Sequence, residues 1–352
     1  MLCFAQHDIV AGVGAMNIAW FWVLGAMLTA YAVLDGYDLG VGAVSLWIAK
    51  GDDERRIALN SIGPVWNGNE VWLLAAGGMM VVSFPRVYAA GFSGFYLALM
   101  VVLWLLILRG VSIEFRSQVK DPLWRALWDA GFWFGSLLLT LLLGVALGNV
   151  VRGLPIGADG YFQGTFALLL NPYSLLTGIL SLVLLAWHGT NYLRVKTEGA
   201  LFERAVRWSQ ALWWAVVVMV IVVTVATFIT LAGRPRTFLL YPAAWGAPVV
   251  MLIGLVWGFA SRREDRSNSA FRASTLVIVA LMITAALTVF PNLLPSTLNP
   301  AYSLNIYNAA SSPHALRVSL IANAVGMIGV IVYSTYVHRV FHGKVRLEES
   351  HY

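Results

Sequence analysis

Residues 17–48 read NIAWFWVLGAMLTAYAVLDGYDLGVGAVSLWI, an apolar run whose only charged members are Asp35 and Asp38. A helix of roughly 20 residues crosses a hydrocarbon core about 30 Å thick, and a helix satisfies its backbone polar groups internally where no water is present. The run therefore reads as a membrane-spanning helix. It is longer than one crossing needs, so part of it extends beyond the hydrocarbon. Working outward, further apolar stretches of spanning length fall at about 62–82, 87–108, 127–149, 165–188, 208–231, 242–260, 272–291 and 317–338. The stretch 62–82 opens with a polar half. Together these predict an all-α polytopic membrane protein of about nine transmembrane helices. It forms a single integral membrane domain over 1–352, with approximate halves 1–155 and 156–352.

Composition agrees: 59% of the residues are hydrophobic, 11% are charged, and the mean hydropathy is +0.76. A soluble domain is about one-quarter charged. The net charge of +6 is carried in short connections rather than in one basic surface, which argues against a nucleic-acid partner. Cys3 is the only cysteine, which rules out an intrachain disulfide, a cysteine zinc site and an iron–sulfur cluster. Residues 1–16 hold no Lys or Arg and no clear cleavage site, so they do not read as a removable signal peptide.

Nine spans divide the connections into two alternating sets. One holds Lys50, Arg55, Arg56, Arg109, Arg116, Lys120, Arg125, Arg194, Lys196, Arg204 and Arg207, then Arg262, Arg263, Arg266, Arg272, Arg339, Lys344 and Arg346. The other holds only Arg86, Arg152, Arg234, Arg236 and Arg317. Cytoplasmic loops carry the excess of Lys and Arg, so the N-terminus is expected outside and the C-terminus in the cytoplasm. The longest outside connection, 292–316, is rich in turn-forming Pro, Asn and Ser. Trp124, Trp128, Trp187, Trp208 and Trp245 fall near expected interfaces, where an aromatic belt accounts for them without catalysis.

Candidate chemistry lies where polarity enters the spans. Asp35 and Asp38 are three apart, hence on one helical face, and Gly36, Gly40 and Gly42 leave room for a neighbouring helix or a bound group. An uncompensated buried carboxylate is costly, so protonation, pairing or a wet cavity is expected, and intramembrane acids are functional candidates by default. An interfacial structural pair is the competing reading. In the second cluster, residues 63–72, Trp66 and Glu70 are four apart and share a face, while Asn67 and Asn69 add hydrogen-bonding capacity. It reads either as a polar entry to the interior or as a capped helix start at the cytoplasmic edge. In the third patch Arg109 sits near a membrane boundary, where it snorkels or compensates an acid, and Glu114 is placed to pair with a neighbouring base. His188 and His314 fall near span ends and His338 and His342 at or beyond the last span, while His7 and His351 are terminal. No intramembrane histidine pair for heme ligation stands out, and no heme-attachment or Walker A motif is present.

Several ordered motifs then coincide: Leu34 to Gly42, Asp53 to Arg56, Asn60 to Trp66, Gly68 to Leu73, Ala89 to Tyr96, Arg109 to Arg116 and Asn305 to Ser312. Over nearly its whole length the chain resembles subunit II of the cytochrome bd quinol oxidases. The resemblance implies two four-helix bundles plus one peripheral helix. It also implies a similarly folded partner, subunit I, which carries heme b and heme d and most of the quinol site, and in some members a small single-helix accessory subunit. Such a complex, multi-pass in the bacterial cytoplasmic membrane among its lipids, oxidises quinol and reduces dioxygen to water with protons taken from the cytoplasm. Subunit II supplies packing and, in some members, a proton route or a structural quinone, and ligates no metal. The family usually carries an acid, implicated in proton uptake, right after the tryptophan matching Trp66; here that position is Asn67, an amide that cannot exchange a proton as a carboxylate does. Three alternatives follow: Glu70, one turn on, takes over; Asn67 orients a water file without carrying charge; or uptake runs through subunit I. The Glu70-assisted route is the preferred expectation, with Asp35 and Asp38 as further proton-path or interface residues. The competing classes are a secondary transporter, against which stands the lack of a clear inverted repeat, and a purely structural scaffold.

Overall fold

The computed structural model describes residues 2–231 and 236–346, with side chains described over 14–231 and 237–346. Expectations attached to the side chains of Cys3, His7, Arg234, Arg236 and His351, and to the start of the chain, lie outside the described residues. The helices are α1 (Leu2–Ile48), α2 (Gly51–Ile62), α3 (Trp66–Ser83), α4 (Pro85–Gly94), α5 (Tyr96–Phe115), α6 (Pro122–Arg152) and α7 (Phe166–Leu169). They continue as α8 (Pro172–Lys196), α9 (Gly199–Thr230), α10 (Arg236–Leu240), α11 (Gly246–Ala260), α12 (Ser267–Val289) and α13 (Pro313–Val340). Among the described residues eight helices are long and apolar enough to cross a membrane. The chain is thus a polytopic helical membrane protein. α3 is 18 residues long, but its polar start, Trp66 to Glu70, keeps it out of that set.

Two expected spans are displaced, each for a local reason. The stretch 87–108 is not one helix: α4 starts on Pro85 and ends in a Gly- and Ser-rich turn at Gly94, and α5 runs from Tyr96 to Phe115. The stretch 165–188 begins late, because the Asn171 side chain accepts a hydrogen bond from Ser174 N at 3.0 Å and Pro172 occupies the first helical position. A polar cap followed by proline satisfies an orphan N–H and presets φ. Asp121 with Pro122 opens α6 in the same way, and Ser312 with Pro313 opens α13. His188 and Trp187 are consequently interior to α8 and not at an interface; both are buried. The expected belt position of Trp187 is therefore corrected to the core.

α8 is the central helix, packed against α1, α6, α9 and α12. Glycine permits this where backbones touch. A Cβ on Gly40 would stand 1.9 Å from the Leu185 carbonyl oxygen, and one on Gly189 would stand 2.3 Å from Val41 N. α6 meets α8 through Gly144 and Gly148 against Ser174, Thr177, Gly178 and Ser181. Small residues in place of a hydrophobic driving force are the usual basis of helix association in lipid.

Three apolar clusters fill the bundle. One, at the α2 end, includes Tyr37, Val44, Ile62 and Leu193. A middle cluster includes Leu39, Leu184, Trp187 and Val277. The third, around Trp20, Phe84 and Leu304, lies under the connections 153–165 and 292–312. These connections pair with each other through Leu154 N to Pro295 O and Thr297 N to Leu154 O, both 2.9 Å. The second of them folds into a two-stranded antiparallel ribbon, β1 (Asn292–Leu294) and β2 (Leu304–Asn305), a small addition to the expected all-α fold. Asn305 and Asn308 turn it by reciprocal side-chain to backbone bonds.

Because the Gly40 site faces backbone rather than a yielding side chain, Gly40→Ala is expected to destabilise the purified protein by about 1–3 kcal/mol or more. Gly25, with nothing within 4 Å of a built Cβ, is the control. Thermal unfolding in detergent checks this, and equal midpoints for the two variants would contradict the α1–α8 contact.

Candidate functional site

The polar centre of the molecule is built on α1. Asp35 and Asp38 are both completely buried, on the face turned toward α3 and α5. From α5, the Arg109 guanidinium reaches Asp35 with two bonds, Nη2 to Oδ1 at 2.5 Å and Nη1 to Oδ2 at 3.1 Å. Its Nη2 lies 3.9 Å from Asp38 Oδ2. Arg109 is therefore a core residue that compensates an acid; it does not snorkel to a boundary. Gly135 of α6 faces the same stretch of α5, where a Cβ would stand 3.3 Å from Leu105 O.

One guanidinium faces two carboxyl groups, and its paired bonds go to Asp35. Asp38 is held instead by Asn69 of α3, whose Nδ2 donates to Asp38 Oδ2 and to the Tyr37 hydroxyl oxygen, both at 2.8 Å. Asp38 Oδ1 has no hydrogen-bond partner among the described residues. Buried polar atoms without partners are rare and mark functional or hydrated places.

The second cluster divides. Trp66 packs on α5, where a Cβ on Gly110 would come within 3.1 Å of its ring. Glu70 is half-buried and feels the charges of Arg109 and Asp35, but makes no ion pair with Arg109 among the described residues. Asn67 is exposed on the outer face of α3, away from the acids, and Asn69 is the buried amide. Asn69, Ala76 and Ser83 are the buried residues of α3, two helical turns apart. That seven-residue spacing of small or polar residues is the signal in the sequence that could have singled out Asn69 over Asn67. The cluster does form a polar helix start, but the α3 N-terminus carries no side-chain cap.

Glu114 is exposed, and no salt bridge reaches it among the described residues; the expected pairing with a neighbouring base is not made. The ion cluster in that region is built elsewhere. Arg116 binds Asp129 at the start of α6 (Nε to Oδ1, 2.5 Å; Nη2 to Oδ2, 3.2 Å) and reaches Asp52 of α2 at 2.8 Å. Arg125 closes on Asp52 at 2.5 Å and Arg55 on Asp129 at 3.2 Å. Arg204 of α9 pairs with Glu54 and bonds the last carbonyl of α1, Ile48 O, at 2.7 Å. This network ties α2 across the ends of α1, α5, α6 and α9. Sequence reasoning missed it because the partners come from different helices.

Two histidines are tied into the bundle by side-chain hydrogen bonds, and of these His188 is buried. His188 has both nitrogens engaged, with Ser274 Oγ at 2.8 Å and Val33 O at 3.1 Å, and its ring stacks on Phe271 at 4.8 Å. His338 bonds Tyr37 through Nε2 at 3.0 Å and Ser334 O through Nδ1 at 2.8 Å. It is half-buried at the edge of the bundle, while His342 bonds the backbone of its own turn. Neither His188 nor His338 presents a free nitrogen to a heme iron. Among the described residues no group of three or more His, Cys, Asp or Glu side chains is gathered to hold a metal ion.

Fold and site together define a polytopic helical membrane subunit with a charged cluster locked inside its bundle. Residues 16–341 match the family model described as cytochrome bd terminal oxidase subunit II, and the chain belongs to that family. It is 33% identical to the probable cytochrome oxidase subunit 2 of Haemophilus influenzae, over 94% of this chain and 95% of that one. It is 31% identical to the cytochrome bd-I ubiquinol oxidase subunit 2 of Escherichia coli K12 (95% and 96% covered). The cytochrome bd ubiquinol oxidase subunit 2 of Bacillus subtilis is also 31% identical (92% and 96%). The fold matches a chain of the bd oxidase from Geobacillus thermodenitrificans with a TM-score of 0.78 at 19% identity, covering 96% of this chain and 100% of the other.

Removing one partner of a buried ion pair leaves an uncompensated charge, which costs roughly 3–5 kcal/mol. Asp35→Asn and Arg109→Met should each lower stability by about that amount, and the double variant by much less than the sum. A double-mutant cycle on thermal unfolding measures this; strict additivity would show that the pair is not coupled.

Proposed function

We propose that this chain is subunit II of a cytochrome bd-type quinol:dioxygen oxidoreductase in a bacterial cytoplasmic membrane. It packs against a heme-bearing subunit I, with a small single-helix subunit as a further partner. The relatives from E. coli and B. subtilis are ubiquinol oxidase subunits, which supports the substrate class. The occupied nitrogens of His188 and His338 do not fit heme ligation here, so heme b and heme d belong to the partner. The complex oxidises quinol, reduces dioxygen to water and draws the protons from the cytoplasm.

In this reading α3 makes the ninth crossing: 18 residues at 1.5 Å each span about 27 Å, close to the hydrocarbon thickness. The N-terminus then lies outside and the C-terminus inside, and the α2 network lies on the cytoplasmic side. The two four-helix bundles correspond to the halves 1–155 and 156–352, with one helix peripheral; α13, the least buried of the spanning helices, is the candidate for it.

The observation that carries a role in proton handling is the pair of fully buried acids served by a single arginine. Asp35 holds Arg109, and Asp38 is the carboxyl left to exchange a proton, at Oδ1. Glu70 stands between that cluster and the outer face of α3, where Asn67 replaces the usual acid. Asn67 orients water, and Glu70 carries the charge. A scaffold role alone would need the Asp35–Arg109 pair but not Asp38 or Glu70.

Purification from native membranes is expected to give heme b and d absorption bands and a copurifying, histidine-containing larger subunit. A heme-free preparation active in transport would overturn the assignment. In a fully heme-loaded complex, Glu70→Gln should slow oxygen consumption and proton uptake together by about 10²-fold or more, and Asn67→Asp should shift the pH dependence of the rate. Unchanged uptake in Glu70→Gln would remove Glu70 from the route.

A further inference from the structure

The hydrogen-bond chain from His338 to Asp38 has a direction, and backbone carbonyls fix it at both ends. At one end His338 Nδ1 lies 2.8 Å from Ser334 O, an oxygen that only accepts, so the ring proton sits on Nδ1. In the neutral ring Nε2 then presents a lone pair, and the Tyr37 hydroxyl 3.0 Å away must donate to it. At the other end the Asn69 amide lies 3.2 Å from Leu34 O, again an acceptor only, so the group facing it is the NH2 and not the carbonyl. That same NH2 faces Tyr37 and Asp38 Oδ2. Reversing Asn69 would set its carbonyl against Leu34 O and would need Tyr37 to turn its hydrogen away from His338.

The outer end of this chain opens on a cavity. A cavity of about 340 Å³, lined by Tyr37, Tyr192, Phe271 and His338 with Arg272 among its residues, opens between α1, α8, α12 and α13. Tyr37 and His338 stand at its wall; Asn69 stands between Tyr37 and the acid. An amide N–H hydrogen-bonds but does not hand on a proton. Oδ2 of Asp38 is covered by that amide, with Arg109 3.9 Å from the same oxygen, whereas Oδ1 has no hydrogen-bond partner among the described residues.

We propose that Asn69, oriented by Leu34 on one side and by Tyr37 and His338 on the other, is the positioning residue that confines proton exchange at Asp38 to Oδ1 and closes the acid to the α12–α13 cavity. This rests on the reading that Asp38 exchanges protons during turnover. Protons then reach Asp38 from the Glu70 side and not from the cavity, although the cavity lies two hydrogen bonds from the carboxyl. The charged and titratable groups around Asp38 are Asp35 and Tyr37 on its own helix, Glu70 on α3, Arg109 on α5, Tyr192 and His188 on α8, and His338 on α13, which acts through Tyr37. None of the others offers Oδ2 a hydrogen bond.

Asn69→Leu and Asn69→Asp test the proposal in the assembled oxidase with heme content measured. Leucine removes the donor at similar size, so turnover at saturating quinol should fall about tenfold and the pH–rate profile should move by about one unit, with the quinol KM unchanged. Aspartate can pass a proton between Tyr37 and Asp38, so its profile should gain a second ionisation. A native profile and turnover in Asn69→Leu would overturn the proposal. Asp38→Asn separates this from the underlying reading: native turnover there sinks proton exchange at Asp38 itself, whereas slow Asp38→Asn beside native Asn69→Leu sinks only the role of Asn69. Should Asn69→Leu not assemble, the tautomer of His338 in the unaltered complex decides. Nitrogen-15 NMR of histidine-labelled protein, assigned by difference against His338→Gln, should place the proton on Nδ1, and a proton on Nε2 overturns the chain.

Discussion

The Asp35–Arg109 ion pair is the constraint around which the bundle is arranged. A charge taken into a helical membrane bundle must be matched inside it, because neither lipid nor water can do so. Matching Arg109 to Asp35 fixes the rotation of α1 and of α5. A buried pair of this kind is weak evidence for net stability, since desolvating both charges offsets the attraction. Its retention is better explained by what it specifies, which is one relative placement of α1 and α5. That placement leaves Asp38 without an arginine of its own. A purely structural pair has no need of a second acid one turn away, and α3 supplies an amide to hold it.

Glycine and proline make that arrangement possible. Gly40 and Gly189 bring α1 and α8 into backbone contact, so Tyr37 and Asp38 lie in the interior instead of being held off by side chains. The Asn171–Pro172 cap starts α8 late enough that His188 falls opposite Val33 and Phe271, completing the aromatic stack that backs Tyr37. At the α2 end, the arginine network around Asp52 and Asp129 fixes the same helices again, outside the apolar core.

Sequence alone made the spans legible because apolar length is a direct consequence of bilayer thickness. It made Asp35 and Asp38 legible because they are the only charges in the first run. Arg109 was placed at a boundary because the residues after it are polar, yet α5 continues to Phe115 and carries it into the core. Trp187 and His188 were placed at an interface by a span starting seven residues too early; the cap that delays it is a local hydrogen bond that hydropathy does not register. Asn69 was passed over for Asn67 because one stands at the motif position and the other only at the right angle on the helix. The Arg116–Asp129 clamp joins residues on either side of a turn, and nothing in composition or period pairs them. What one helix dictates was readable, and what two helices decide together was not.

The central claim is that one acid is committed to Arg109 and the other is left to exchange protons. Infrared difference spectra between oxidised and reduced states of the assembled complex test it most directly, by following carboxylic C=O bands that change with turnover. A band lost in Asp38→Asn and retained in Asp35→Asn is the predicted result. A band lost in Asp35→Asn and retained in Asp38→Asn would contradict the account, because the acid bound by two bonds to Arg109 would then be the one that takes the proton.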